Sequence, residues 1–317
     1  MAAKSPEAEP GGGAEPGSSF LGHGAGLVRV TAIDLAILAG HALLYPTGIL
    51  PERSHLAPDR PPDEPDPQGA QDAGTPSATA PPAMTLDSAS DAGTDPGDGP
   101  PARPGAKAKS RPPVLLVHGF VDNRSAFALL RRSLQRNGWT RIQAVNYSPL
   151  TSDVRTAAAV LGTHIERICE ESGERRVDIV AHSLGGLIAR YYVQRLGGDA
   201  QVRTLVTLGT PHNGTRAIPA LIPHPLARQM RPGSAVLEEL AKPVRRCRTR
   251  FVAFWSDLDQ LMIPVESARL EHPGLSAKNI KVTGIGHLAL PVHGAVAAEI
   301  RRELSGGPGR PGAADAA

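Results

Sequence analysis

Ala181-His182-Ser183-Leu184-Gly185-Gly186 sets one serine in a run of small residues. The apolar stretch Val177-Asp178-Ile179-Val180 leads into it, and the helical pattern Leu187-Ile188-Ala189-Arg190-Tyr191-Tyr192-Val193 leads out. A strand, a tight turn carrying a serine and then a helix make a nucleophile elbow. The turn is so sharp that its flanking positions must be small. Gly185 meets that need on the far side, and Ala181 stands where glycine is usual. A hydroxyl held clear of the sheet at a helix N-terminus faces positive backbone N–H groups. Such a serine is suited to attack a carbonyl carbon, provided the chain also supplies a base, an acid and an oxyanion site.

The base is sought among histidines at strand ends. Gly284-Ile285-Gly286-His287-Leu288 follows the last apolar strand, so His287 sits on a Gly-rich loop from which an imidazole can reach the serine. His272 follows Glu271 in a polar turn, and His293 is expected inside the closing helix. An orienting carboxylate comes from the loop after Phe251-Val252-Ala253-Phe254-Trp255, where Asp257 and Asp259 both stand. Two backbone amides must face the developing negative charge. Leu184, next after the serine, supplies one, and Phe120, after His118-Gly119, is placed to supply the other. His118 and His182 flank these positions and read as structural or as supports behind the site residues, not as catalytic groups.

The elements that position these residues alternate. Strands are expected at Val114–Val117, 142–147, 177–181, 202–208, 251–255 and 280–282. Helices are expected at 125–137, from Asp153 to about Glu171, at 184–196 and at 288–304. Near-continuous apolar strands alternating with helices predict an α/β fold, a mostly parallel sheet covered by helices on both faces. Ligands bind such sheets at the C-terminal strand ends, where the serine, the aspartates and His287 all fall.

Five stretches in order carry a resemblance: VLLVHGF (114–120), VAHSLGG (180–186), LGTPHNGT (208–215), WSDLDQLMIP (255–264) and VTGIGHL (282–288). They resemble bacterial lipases and esterases of the α/β-hydrolase superfamily, in particular the small actinobacterial and Bacillus-type lipases whose elbow also begins with alanine. The resemblance covers residues 113–304. It implies an α/β-hydrolase fold with Ser183 as nucleophile, Asp259 rather than Asp257 as the acid, His287 as the base, and Phe120 and Leu184 as oxyanion donors. It implies no cofactor. The smallest lipases of this kind have no lid, whereas this chain inserts a helical-looking stretch near 216–242. Its apolar residues, among them Ile218, Leu221, Ile222, Leu226 and Met230, suit either core helices or a cap over an acyl pocket.

Outside this region the chain of 317 residues changes character. Residues 51–112 hold fourteen prolines and show no apolar periodicity, so they are expected to be a disordered linker. Residues 1–19 and 305–317 are expected to be disordered as well. The foldable unit is then 113–304. It carries 25 basic and 16 acidic side chains, whereas residues 51–100 carry ten acidic and two basic. The basic excess suits an ordinary arginine-rich surface or an anionic lipid surface. Nucleic acid is not expected as a partner, because aromatics are few and no binding motif occurs. Cys169 and Cys247 match no metal spacing and leave a single disulfide or two thiols open.

Residues 20–50 form a separate apolar segment. Leu27–Leu50 is long enough to span a bilayer, but Asp34 lies near its centre. On a helix, Thr31, Asp34 and His41 fall on one polar stripe. That pattern suits a helix lying in a membrane interface or packed on the folded domain, ahead of a true span or an export signal. The overall expectation is a serine ester hydrolase acting on a lipid or fatty-acyl ester, with acyl transfer by the same residues and a non-catalytic membrane scaffold as alternatives. The expected location is cytoplasmic or membrane-associated, with secretion left open.

Overall fold

The computed structural model describes residues 111–120, 122, 124–145, 153–219 and 222–306, together with Thr31, Ala32 and Asp34. The expectations for the linker, both tails and most of the segment 20–50 lie outside the described residues.

Among the described residues, six strands form one sheet: β1 (Val114–Val117), β2 (Ile142–Val145), β3 (Val177–His182), β4 (Val202–Leu208), β5 (Arg250–Ser256) and β6 (Ser276–Val282). Their order is β2-β1-β3-β4-β5-β6, and all five pairings are parallel. The inner strands β1, β3, β4 and β5 are mostly apolar at successive positions because both faces are covered. Along β1, Leu115 and Val117 enter one core while Val114 and Leu116 enter the other. Along β5, Phe251 and Ala253 share the first core, and Val252 and Phe254 the second.

Helices α2 (Val154–Ser172) and α3 (Leu184–Arg195) cover the first face, and α1 (Ala128–Arg136) and α6 (Gly294–Ser305) the second. Helix α2 starts at Asp153, whose carboxylate accepts from the Arg155 amide at 2.6 Å, and stops at Gly173 with φ 67°.

The insertion folds into two short helices, α4 (Pro225–Gln229) and α5 (Ala235–Ala241). Helix α5 belongs to the core, with Val236, Leu237 and Leu240 buried beside α3. Glu239 ties it down, accepting from Arg155 at 2.5 Å and from the Tyr191 hydroxyl at 2.6 Å. Gln229 at the end of α4 accepts from the Val154 amide at 2.8 Å.

Three expectations need correction. Strand β6 begins at Ser276, not Ile280. Its first residues alternate exposed and half-buried side chains on the sheet edge, so they carry no apolar run to read. The closing helix begins at Gly294 rather than Leu288, since Leu288–Val292 forms turns around Pro291. His293 is therefore the residue that starts α6, not one inside it. The helix expected from 125 opens as a 3-10 turn, Arg124–Phe127, before α1. Cys169 and Cys247 are free thiols.

Candidate active site

Ser183 lies between β3 and α3 with φ 51° and ψ −122°, a left-handed conformation that a non-glycine residue adopts at a cost. Two contacts hold it there. Its amide donates to the Leu208 carbonyl at 2.9 Å, and its carbonyl accepts from Thr210 Oγ1 at 3.0 Å. Small neighbours are required because backbone crowds the turn. A Cβ on Gly185 would lie 2.5 Å from the Val117 carbonyl oxygen and nearer still to that of His118. The end of β1 thereby meets the start of α3. This brings the 118–120 loop and the Leu184 amide to one place. Among the described residues no acceptor engages the Phe120 or Leu184 amide, which leaves both donors available to an oxyanion.

His287 lies on the loop between β6 and α6 and is buried. Its Nδ1 donates to Asp259, 2.8 Å from Oδ2 and 3.0 Å from Oδ1. Asp259 is itself buried after β5, and its Oδ1 accepts from the Leu261 amide at 3.0 Å. Asp257 points elsewhere: it accepts from the Gly284 amide at 2.9 Å and lies 3.5 Å from Lys281 Nζ. The structure thus pairs Asp259, and not Asp257, with His287. His272 sits at the surface, within 3.1 Å of the Lys242 carbonyl. Burial alone would push the His287 imidazole below its ordinary value. The charge and hydrogen bond of Asp259, with help from Asp122 and Asp34, outweigh burial and hold it above.

Ser183 and His287 open onto one cavity of ≈ 380 Å³. Its walls include Phe120, Ile218, Ile222, Met230, Met262 and Leu288. Residues of the insertion before α4, with Ala227 and Met230, form one side of it. The insertion is therefore both a wall and a core element. Phe120 is held edge-on by His224, with ring centroids 4.9 Å apart.

The topology matches solved structures at the level of fold. A mature lipase from Bacillus licheniformis superposes with a TM-score of 0.54, covering 62% of this chain and 93% of that one at 16% identity. The chain has the α/β-hydrolase fold. Lipase B from Aspergillus fumigatus superposes with a TM-score of 0.57 at 19% identity, over 67% of this chain and 56% of that one. In sequence, a family model described as palmitoyl protein thioesterase matches residues 113–262. A triacylglycerol lipase from Pseudarthrobacter phenanthrenivorans is 28% identical over 116 residues, which is 34% of this chain and 35% of the relative. A triacylglycerol lipase from Burkholderia plantarii is also 28% identical over 116 residues. The chain spans about a third of the length of these curated relatives, 35% and 32%.

Three side chains at the site were not legible in the sequence as neighbours of the imidazole. His182, read as structural or as a support behind the site, donates from Nε2 to the His287 carbonyl at 3.1 Å, and the two rings lie 4.7 Å apart. Asp122 approaches His182 Nδ1 at 3.4 Å. Asp34 reaches the His287 loop from the far N-terminal segment and is only 7% exposed. The polar stripe containing Thr31 and Asp34 was the one available signal for the last contact.

Proposed function

We propose that this α/β-hydrolase is a serine carboxylic-ester hydrolase of lipase type, acting on esters with an apolar acyl chain. The single observation that carries this reading is the cavity that Ser183 and His287 line together with mostly apolar residues. Its ≈ 380 Å³ falls in the range of about 300–1,000 Å³ usual for small-molecule sites.

In the proposed reaction His287 Nε2 takes the Ser183 proton as Oγ attacks the ester carbonyl. The negative charge on the carbonyl oxygen rests on the Phe120 and Leu184 amides. Asp259 holds the imidazole through Nδ1 and stabilises its cation. The imidazolium gives its proton to the leaving alkoxide, and an alcohol departs. Water then attacks the acyl-enzyme through the same base, releasing the acid and restoring Ser183.

A thioester is the second substrate reading, favoured by the family match over residues 113–262. Attack and acyl-enzyme are the same, and a thiol leaves in place of an alcohol. Acyl transfer differs only in the acceptor that discharges the acyl-enzyme. The hydrogen-bonded Asp259–His287 pair beside a serine in an elbow argues against a non-catalytic scaffold.

One experiment separates these readings. A chain-length series of nitrophenyl esters and a matched acyl thioester are assayed with and without an added alcohol, using Ser183→Ala as control. Hydrolysis that depends on Ser183 supports the main reading. Product formed only with the added alcohol makes the enzyme a transferase. No turnover of any acyl substrate rejects both.

A further inference from the structure

The N-terminal helix reaches the site at two points, one beside each partner of Ser183. Gln260, next to Asp259, donates from Nε2 to Thr31 Oγ1 at 3.0 Å, across 229 positions of sequence. One helical step on, at Asp34, the carboxylate packs against Gly286, next to His287. The backbone amides of Leu288 and Ala289 donate toward that carboxylate. Thr31 and Asp34 are three residues apart and so share one face of the helix.

Gly286 is shaped to this contact. A Cβ there would stand 2.5 Å from Asp34 Cγ and from Oδ1, and closer to Oδ2. Asp34 Oδ1 is buried without a hydrogen-bond partner among the described residues. Burying a carboxylate oxygen in that state opposes folding, so docking alone is a poor reason for an aspartate here. Its charge acts on His287, and Asp259 is also within reach of its field.

We propose that Asp34 is a positioning residue for His287: the N-terminal helix sets its carboxylate against the Gly286–Ala289 turn and holds the imidazole-bearing loop in register with Asp259 and Ser183. The inference rests on the ester-hydrolase reading. It extends the working domain beyond 113–304, because the His287 loop borrows its support from residue 34. The titratable groups that face the imidazole are Asp259, Asp122, His182 and Asp34. Asp259 contacts Nδ1 directly, and Asp122 and Asp34 add further negative charge, the Asp34 carboxyl being itself pushed up by burial. All three carboxylates, when ionised, favour the imidazolium that forms during attack.

The test uses the full chain, a soluble nitrophenyl butyrate and active-site titration with a phosphonate to count competent molecules. Asp34→Asn keeps the shape and an acceptor for the amides but removes the charge. It should move the acid limb of kcat/KM to lower pH and lower kcat with KM little changed. Asp34→Ala also removes the acceptor, and its kcat should fall by about 10- to 100-fold. If both variants keep the wild-type kcat per titrated site and the wild-type acid limb, with only the melting temperature lowered, Asp34 merely docks the helix and the proposal is wrong. Loss of folding in both variants also assigns Asp34 a purely structural role and overturns it. A wild-type chain with no ester hydrolysis overturns the hydrolase reading and this one together. An active wild type, an inactive Ser183→Ala and an unchanged Asp34→Asn overturn this one alone.

Discussion

Gly185 lies so close to the carbonyl of His118 that no side chain fits between them. The contact joins the end of β1 to the start of α3. It thereby fixes the distance between the two amides, Phe120 and Leu184, assigned to the oxyanion. The spacing of the two donors is set by backbone against backbone, without help from side-chain rotamers.

Gly185→Ala should therefore damage activity and stability together. Forcing one methyl into this contact should cost about 1–3 kcal/mol of stability. Urea denaturation and ester turnover measured on the same sample check it. A variant with wild-type stability and turnover would show that the end of β1 and the start of α3 can separate freely.

Ser183→Ala should remove ester hydrolysis and leave the fold intact, since only one oxygen is deleted at a nearly buried position. Circular dichroism and turnover report the two halves of this expectation. A fluorophosphonate should label wild-type Ser183 and leave the variant unmarked; label at another residue would point to a different nucleophile.

The two aspartates after β5 should differ sharply. Asp259→Asn replaces the acceptor of the His287 Nδ1 proton and should lower kcat by about 10⁴-fold, the loss known for the serine protease triad. Asp257→Asn disturbs an ion pair with Lys281 at the surface and should change stability by no more than about 0.5 kcal/mol. Equal losses in kcat would mean that the His287–Asp259 bond does not orient the base.

The pH dependence follows from the direction of the His287 shift. Hydrolysis needs the neutral imidazole, and Asp259, Asp122 and Asp34 favour the protonated form over the opposing effect of burial. The acid limb of kcat/KM should therefore have its midpoint above the ordinary histidine value of about 6.5. Asp259→Asn should bring that midpoint down in whatever activity remains. A wild-type midpoint below 6.5 would mean that burial prevails over the carboxylates.

Ile218 on the cavity wall should govern acyl length. Ile218→Trp fills part of the space beside Met230 and Ile222. It should lower the ratio of octanoate to acetate kcat/KM, by at least the factor of about 10 that one methylene is worth in an apolar pocket. An unchanged ratio would place the acyl chain elsewhere.

Most of the fold could be read from local signals. Strands β1, β3, β4 and β5 are apolar runs because the sheet is covered on both faces, and a run of that kind is visible without any partner. Asp153 and Gly173 mark the ends of α2 through cap chemistry that is also local. Edge strand β6 was read short because its outer residues are polar. The closing helix was read long because Leu288, Leu290 and Val292 continue an apolar pattern through turns around Pro291. Within the site, Ser183 and His287 each announce themselves by their glycine-rich surroundings. The choice between Asp257 and Asp259 came from resemblance, and its geometric basis is the 2.8 Å contact. Asp122 and the His182–His287 contact could not be read, and the polar stripe with Thr31 and Asp34 offered a face without naming what it meets, since each contact depends on which distant segments the topology brings together. The hydrogen bond from Gln260 to Thr31 is the extreme case, 229 positions apart.

That same bond, with Asp34 against Gly286, joins two distant parts of one chain. The segment carrying Asp34 meets the His287 loop as an internal contact, at an effective concentration that does not depend on the amount of protein in solution. A chain cut between Asp34 and Val114 turns that internal contact into an ordinary binary complex, and its activity would then fall on dilution.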